Sequence, residues 1–383
     1  LFGAACTGDQ READGVNIPE WTISPTPHVV IGTEGDPHYE FSRVSGVALL
    51  PDGGVAVADG GSQEIRVYDA SGTYLRSFGG TGDGPGEFRA LGTIRTSGDS
   101  ILAIGQAFRA PARFQIFDAE HGYVDGAVLR PAAEPRGVAP RAIVSPTTLL
   151  AVSGPGWRVM PRAPPAGTLV HDSVTLGLVQ LADTQVVRWI GEFPNVVFYS
   201  FDLPPGGPVE RTIGTSTLFP SLVAAGTSDN RLWIGNAGTG TIAVYDTAGS
   251  QIMEFMFPVP PRSFDEGALH EAREAALARV ADPDRTGSRA SVEAMYSPEL
   301  RPPTAPRFVG FTAAPEGEVW VRLYSELPDA AQQAVVIDRN GQDIARVTIP
   351  AGLRLSAVSR DRIVGVQRDA DGVERVSVHR LRR

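Results

Sequence analysis

Side chains able to do chemistry are thinly spread in this chain, and their spacing narrows what that chemistry could be. A divalent-cation hydrolase needs several carboxylate or amide oxygens converging on one ion. Aligning the second strand of each repeat described below puts Asp59, Gln106, Gly154, Asn236, Leu323 and Arg368 at equivalent ends. One of these is a carboxylate, and the Arg368 guanidinium would repel a cation, so metal-dependent lactone or ester hydrolysis is the weaker reading. Asp59, Gln106, Asn236 and Arg368 could instead line a polar funnel for a small ligand or a peptide. Asp and Asn at such ends also bond the backbone of their own turn. The histidines at 28, 38, 121, 171, 270 and 379 have no metal-ligand spacing. Gly79–Gly86 lacks the Lys-Ser/Thr of a phosphate loop and opens no helix. Cys6 sits in a polar tail, away from any His that could activate it. The expectation is a chain with no catalytic residue, no metal and no cofactor.

The elements that must position these residues are clearest from Val44 to Phe88. Four short runs rich in β-branched, aromatic and small apolar residues (Val44–Leu50, Val55–Ala58, Glu64–Tyr68 and Thr73–Phe78) are each ended by Gly, Asp or Pro clusters. This is a four-stranded antiparallel meander, the size of one propeller blade, which cannot bury its faces alone. The pattern recurs at Leu91–Leu129, less regularly at Arg141–Ile190, and again at Ser221–Phe257 and Arg307–Ile349. The last copy, Arg354–Leu381, shows three runs, and a spare strand at His28–Thr33 could supply its fourth. The fold expected is all-β: a six-bladed β-propeller over 28–383, closed by that N-terminal strand, after a tail at 1–27. One stretch breaks the β rhythm. Ser263–Ala281 has helix composition, a Ser263/Glu266 capping box and an apolar stripe at Leu269, Ala272, Ala276 and Val280, so a helical insertion is expected between the fourth and fifth blades. Phe193–Leu218 reads as a looped insertion, and the stretch after the helix reads as linker up to Pro306.

The net charge of −10 disfavours nucleic acid, whose phosphates demand a basic surface. The chain contains no lysine, so every fixed cation is an arginine; a GC-rich genome or a surface suited to Arg-mediated docking would each produce this. Leu1-Phe2-Gly3-Ala4-Ala5-Cys6 has small residues running up to a Cys, like the end of a secretory signal and the cleavage site of a bacterial lipoprotein, although Gly3 stands where that pattern prefers Leu. Export is expected, with Cys6 the lipidation candidate and the N-terminus a route to the membrane surface.

The blade pattern together with Phe78–Phe88 (FGGTGDGPGEF), and above all Gly84-Pro85-Gly86-Glu87-Phe88, resembles bacterial NHL-type six-bladed propellers. That resemblance implies the fold and a secreted or lipid-anchored protein, and it leaves activity open. The function expected is that of a non-catalytic, periplasmic, membrane-associated docking scaffold, an extrinsic subunit or accessory factor of a membrane complex. Its partners would be other subunits of a respiratory, photosynthetic or envelope-building assembly. A lactonase-like hydrolase and a small-ligand sensor are the alternatives. Pro/Arg-rich insertions at Gly154–Gly167, Pro194–Leu218 and Pro258–Pro306 would do the docking, through Trp157, Arg158, Arg162, Arg262 and Arg301.

Overall fold

The computed structural model describes residues 18–105, 112–129, 138–153, 164–202, 211–215, 218–219, 221–226, 229–280, 288–369 and 371–383. Two short strands come first, β1 (Glu20–Ile23) and β2 (Val29–Ile31). Antiparallel sheets follow in chain order. The first is β3 (Val44–Leu49), β4 (Val55–Asp59), β5 (Glu64–Tyr68) and β6 (Tyr74–Gly79). The second is β7 (Leu91–Ser97), β8 (Ser100–Gly105), β9 (Arg113–Asp118) and β10 (Gly122–Val128). The third is β11 (Ala139–Ser145), β12 (Thr148–Ser153), β13 (Leu169–Gln180), β14 (Asp183–Asp202) and β15 (Arg211–Thr215). The fourth is β16 (Leu222–Gly226), β17 (Leu232–Asn236), β18 (Thr241–Tyr245) and β19 (Gln251–Met256). Two helices, α1 (Glu266–Ala278) and α2 (Ser288–Met295), precede β20 (Phe308–Ala313), β21 (Val319–Leu323), β22 (Gln332–Ile337) and β23 (Asp343–Ile349). The chain closes with β24 (Arg354–Val358), β25 (Arg362–Arg368) and β26 (Glu374–Arg382).

The β5–β6 and β22–β23 hairpins are made by the same local device. Asp69 Oδ1 accepts hydrogen bonds from the Ser71 and Thr73 N–H groups at 2.8 and 2.9 Å, and Asp338 Oδ1 does the same for Asn340 and Gln342. The turn then needs a left-handed residue, supplied by Gly72 (φ +87°) and Gly341 (φ +83°). These turns also press on the preceding sheet. A Cβ on Gly72 would lie 2.8 Å from Val29 Cγ1, and one on Gly341 would lie 3.0 Å from the Phe255 ring. Turn chemistry thus doubles as packing between sheets.

The cores lie between sheets. One apolar cluster joins the first and second sheets (Ile65, Phe88, Ile101, Phe117), another the fourth and the β20–β23 group (Trp233, Val244, Phe308, Val335). A further cluster packs Ile31, Val44 and Val57 against Val364, Val376 and Val378, bringing the last sheet onto the first. The leading strands touch in the order β3, β7, β11, β16, β20, β24 and back to β3.

The N-terminal ribbon sits on the long final strand. β2 pairs antiparallel with β26, Val29 opposite Val378 and Ile31 opposite Val376. β1 was expected to lie in a tail, and the structure corrects this: Thr22 and Ile23 pair with Arg382 and Leu381, while Glu20 and Trp21 run parallel to β23. The cause is a period of two, with Trp21 and Ile23 buried and Glu20 and Thr22 exposed. The Trp21 ring lies 6.2 Å from that of Trp320, with the Arg383 guanidinium 4.5 Å over it.

The bend between β1 and β2 is held by Ser24, whose N–H donates to Arg380 O, and by His379 Nδ1, which hydrogen-bonds Ser24 O at 2.8 Å. His379 is fully buried, and this burial, with a smaller contribution from His28, holds its pKa below the ordinary value despite the Ser24 hydrogen bond. With the folded pKa below the unfolded one, the unfolded chain takes up the proton first. Stability is therefore complete above about pH 6.5 and declines as the pH falls through that value. The melting temperature should fall between neutral and mildly acid pH, and His379→Asn, which keeps a donor to Ser24 and cannot titrate, should flatten that slope. An unaltered slope in the variant would place the titration elsewhere.

Three further expectations are corrected. The stretch from Phe193 is not a loop, because β14 continues to Asp202 and pairs Leu169 with Tyr199; its Pro194 is accommodated beside a register shift between His171 and Ser173. The cap of α1 is Asp265, whose Oδ1 accepts from Ala268 N at 3.0 Å, rather than Ser263. Leu269 and Ala272 form its buried stripe. The stretch read as linker contains α2.

Candidate functional site

The polar groups at the ends of the second strands have structural partners. Asp59 is buried at the end of β4, where Oδ1 accepts from the Arg43 and Gly61 N–H groups, both at 3.0 Å. Its Oδ2 accepts from the Ser62 hydroxyl at 3.1 Å and faces Arg66 at 3.4 Å. Asn236 Oδ1 accepts from Gly238 and Thr239 N–H groups, both at 3.1 Å, and so shapes its own turn. Arg368 reaches Glu374 Oε1 at 2.9 Å, while Glu374 Oε2 accepts from the Val44 N–H on the first sheet. Gln106 lies outside the described residues. Asp59 has little acceptor capacity left for a ligand, and the Arg368 charge is already matched.

The glycine-rich loop is a connection between sheets. Phe88 N–H donates to Gly80 O and Gly84 N–H to Glu87 Oε2, which folds the loop on itself. Gln115, on β9, clamps it from the second sheet: its Oε1 accepts from Gly86 N–H at 2.6 Å and its Nε2 donates to Glu87 O at 2.8 Å. Phe88 is then fully buried against Phe117. Gln63 makes the matching bridge by accepting from Leu91 N–H at 2.6 Å. Neither glutamine stands out in the sequence, since a clamp to the backbone leaves no spacing signal.

Of the expected docking residues, Trp157, Arg158 and Arg162 lie outside the described residues, as does Cys6. Arg262 grips Glu326 through two hydrogen bonds, at 2.7 and 2.8 Å, and lies 5.7 Å over the Tyr324 ring. Burial pushes the Glu326 carboxyl up, but the Arg262 guanidinium and the Asp265 N–H outweigh it and hold the group below the usual carboxylate range. Arg301 is paired twice with Glu266, at 2.8 and 2.7 Å. The two arginines fasten the helical insertion. Between them Phe219, Leu300, Ala305 and Tyr324 pack with Phe264, Val197 and Tyr199, so that β14 and the segments flanking the two helices share one apolar cluster.

Apolar side chains do reach solvent on the outer strands. Val30 on β2, Leu75 on β6 and Tyr123 and Val124 on β10 are exposed, Val124 at 60%. They occupy neighbouring elements, because the β5–β6 turn rests on β2 through Gly72 and the β9–β10 turn rests on β6, where a Gly122 Cβ would lie 3.1 Å from Phe78. Among the described residues no three of His, Cys, Asp and Glu lie close enough to hold a metal ion, and no helix is long and apolar enough to cross a membrane.

No family model matches the chain. Over 78 residues, 20% of its length, it is 31% identical to the RING finger protein nhl-1 of Caenorhabditis elegans, and the match spans 8% of that protein. Among solved structures, a member of the DUF4221 family from Bacteroides vulgatus superposes with a TM-score of 0.53 at 10% identity, over 95% of this chain and 99% of that one. Virginiamycin B lyase from Staphylococcus aureus covers 95% of this chain and 100% of its own at 10% identity, with a TM-score of 0.38. The chain is all-β and of the propeller type. At these identities the likeness concerns the fold alone.

Proposed function

We propose that this chain is a bacterial six-bladed propeller of the NHL type. Its ring is closed by the N-terminal ribbon, and it works without catalysis as an exported docking scaffold for a membrane complex. The cyclic order of leading-strand contacts and the cluster joining the last sheet to the first support the closed ring. The observation that carries docking is the row Val30, Leu75, Tyr123 and Val124, exposed on adjoining outer strands whose free edges also offer backbone groups. The periplasm is the compartment proposed, with attachment through Cys6.

This reading moves the contact surface from the arginines of the insertions to the rim, because Arg262 and Arg301 already have carboxylate partners. The test is a double replacement, Leu75→Asp with Val124→Asp. Both side chains are exposed, so folding should be unaffected. If the rim is a binding centre, co-migration of the chain with its membrane assembly on a native gel should weaken about 30-fold or more. Full retention by the variant, or a wild-type chain that never leaves the monomer position, sinks the proposal.

A further inference from the structure

Buried arginines in this chain are matched by oxygen. Arg66 faces Asp59 and Glu64, Arg95 donates to the Ile143 and Val144 carbonyls at 3.0 and 3.2 Å, and Arg362 donates to Gly53 O at 2.9 Å. Arg322 differs. It lies on β21, on the face that carries Trp320 toward the β24–β26 sheet, and is partly buried. No hydrogen bond or ion pair engages its guanidinium among the described residues, and its Nε is shut off from solvent without a partner. Burial is the only influence on its ionisation, and it lowers the pKa. An isolated charge in such a place is costly, and proteins ordinarily pair it.

The surroundings leave the guanidinium without a polar partner. Directly opposite Arg322 on the neighbouring strands stand Gly310 and Ala334, which are too small to shield it. The group lies against Gly310, so close that a Cβ there would fall 2.2 Å from Nη2 and 2.9 Å from Cζ. Since β20 is the leading strand of its group, the side chain reaches inward across the sheet.

We propose that Arg322 anchors a binding site for a small carboxylate on the face of β21 that is turned toward the β24–β26 strands. The planar fork of a guanidinium matches the two oxygens of one carboxylate. Its single charge is neutralised by that partner, whereas a doubly charged phosphate would leave net charge in a poorly solvated place. The site stands apart from the exposed rim, so its occupancy and docking can be tested separately.

The experiment follows thermal unfolding of the full chain in low-salt buffer while acetate, propionate or inorganic phosphate is titrated in. Acetate or propionate should raise the melting temperature of the wild type by about 3 °C at a hundredfold excess over Kd, and phosphate by less. Arg322→Met should abolish the rise while starting at a melting temperature equal to or above that of the wild type, since it removes an unmatched charge. Gly310→Ala keeps the charge but displaces the guanidinium, and should blunt the response. Three results overturn the proposal: a wild type indifferent to both carboxylates, equal protection of wild type and Arg322→Met, or an Arg322→Met chain less stable than wild type without ligand, which would make the arginine structural.

Discussion

Trp21→Ala is expected to destabilise the protein by about 3–5 kcal/mol, the usual cost of deleting a buried aromatic side chain. Trp21 is 8% exposed and belongs to the cluster that contains Trp320, Val347, Ile349 and Leu381. It therefore joins three elements remote in sequence, β1, β23 and β26. A cavity there would open where β1 bridges β23 and β26. Removing residues 1–31 should go further and abolish cooperative unfolding, because it leaves β26 with a bare outer edge and uncovers Val376 and Val378. Denaturant titration monitored by tryptophan fluorescence and by circular dichroism checks both. A truncated chain that unfolds at the wild-type midpoint would show the ribbon to be an accessory.

Glu374→Ala should cost about 2–3 kcal/mol, the loss of a charge-assisted hydrogen bond that leaves a buried donor unsatisfied. Glu374 is 5% exposed and accepts from the Val44 N–H across the seam between the last sheet and the first. Its second oxygen meets Arg368, whose side chain is 68% exposed. The series of variants separates the two contacts. Glu374→Gln retains an acceptor for Val44 and should recover most of the loss. Arg368→Ala should cost less than about 1 kcal/mol, as solvent screens an exposed ion pair. If Arg368→Ala proves as damaging as Glu374→Ala, the ion pair rather than the backbone clamp holds the seam.

Much of the sheet structure is legible in the sequence because its causes are local. Val55–Asp59 and Glu64–Tyr68 are short runs, buried almost throughout, that end beside Gly and Asp residues whose turn chemistry is written next to them. Trp21 and Ile23 are not legible, since a four-residue strand between Pro19 and Pro25 finds its partners at Arg346 and Leu381, far along the chain. The same holds for the α1 cap. Ser263 and Asp265 are both residue types that cap helices, and Glu326, which accepts from the Asp265 N–H, lies in a distant loop.

The candidate site divides in the same way. Asp59 and Asn236 can be read either as ligand groups or as turn makers, and Gly61 and Gly238, whose N–H groups they bind, lie two residues on. Arg262 and Arg301 read as outward anchors because Glu326 and Glu266 are well separated from them in sequence. Arg322 carries no signal at all: what sets it apart is the lack of a polar partner, which only packing can reveal.

The pairing of Val30 with Ser377 couples nearly opposite ends of the chain, and this bears on how the molecule comes to exist. Contacts of such long range form late, after the entropy of closing a very large loop has been overcome. Until residues 374–382 are available, the opening ribbon has no template and the first sheet has one face open to water. Assembly should accordingly show a slow final phase that reports docking of the two ends, and before it a period in which the unfinished chain is vulnerable to aggregation.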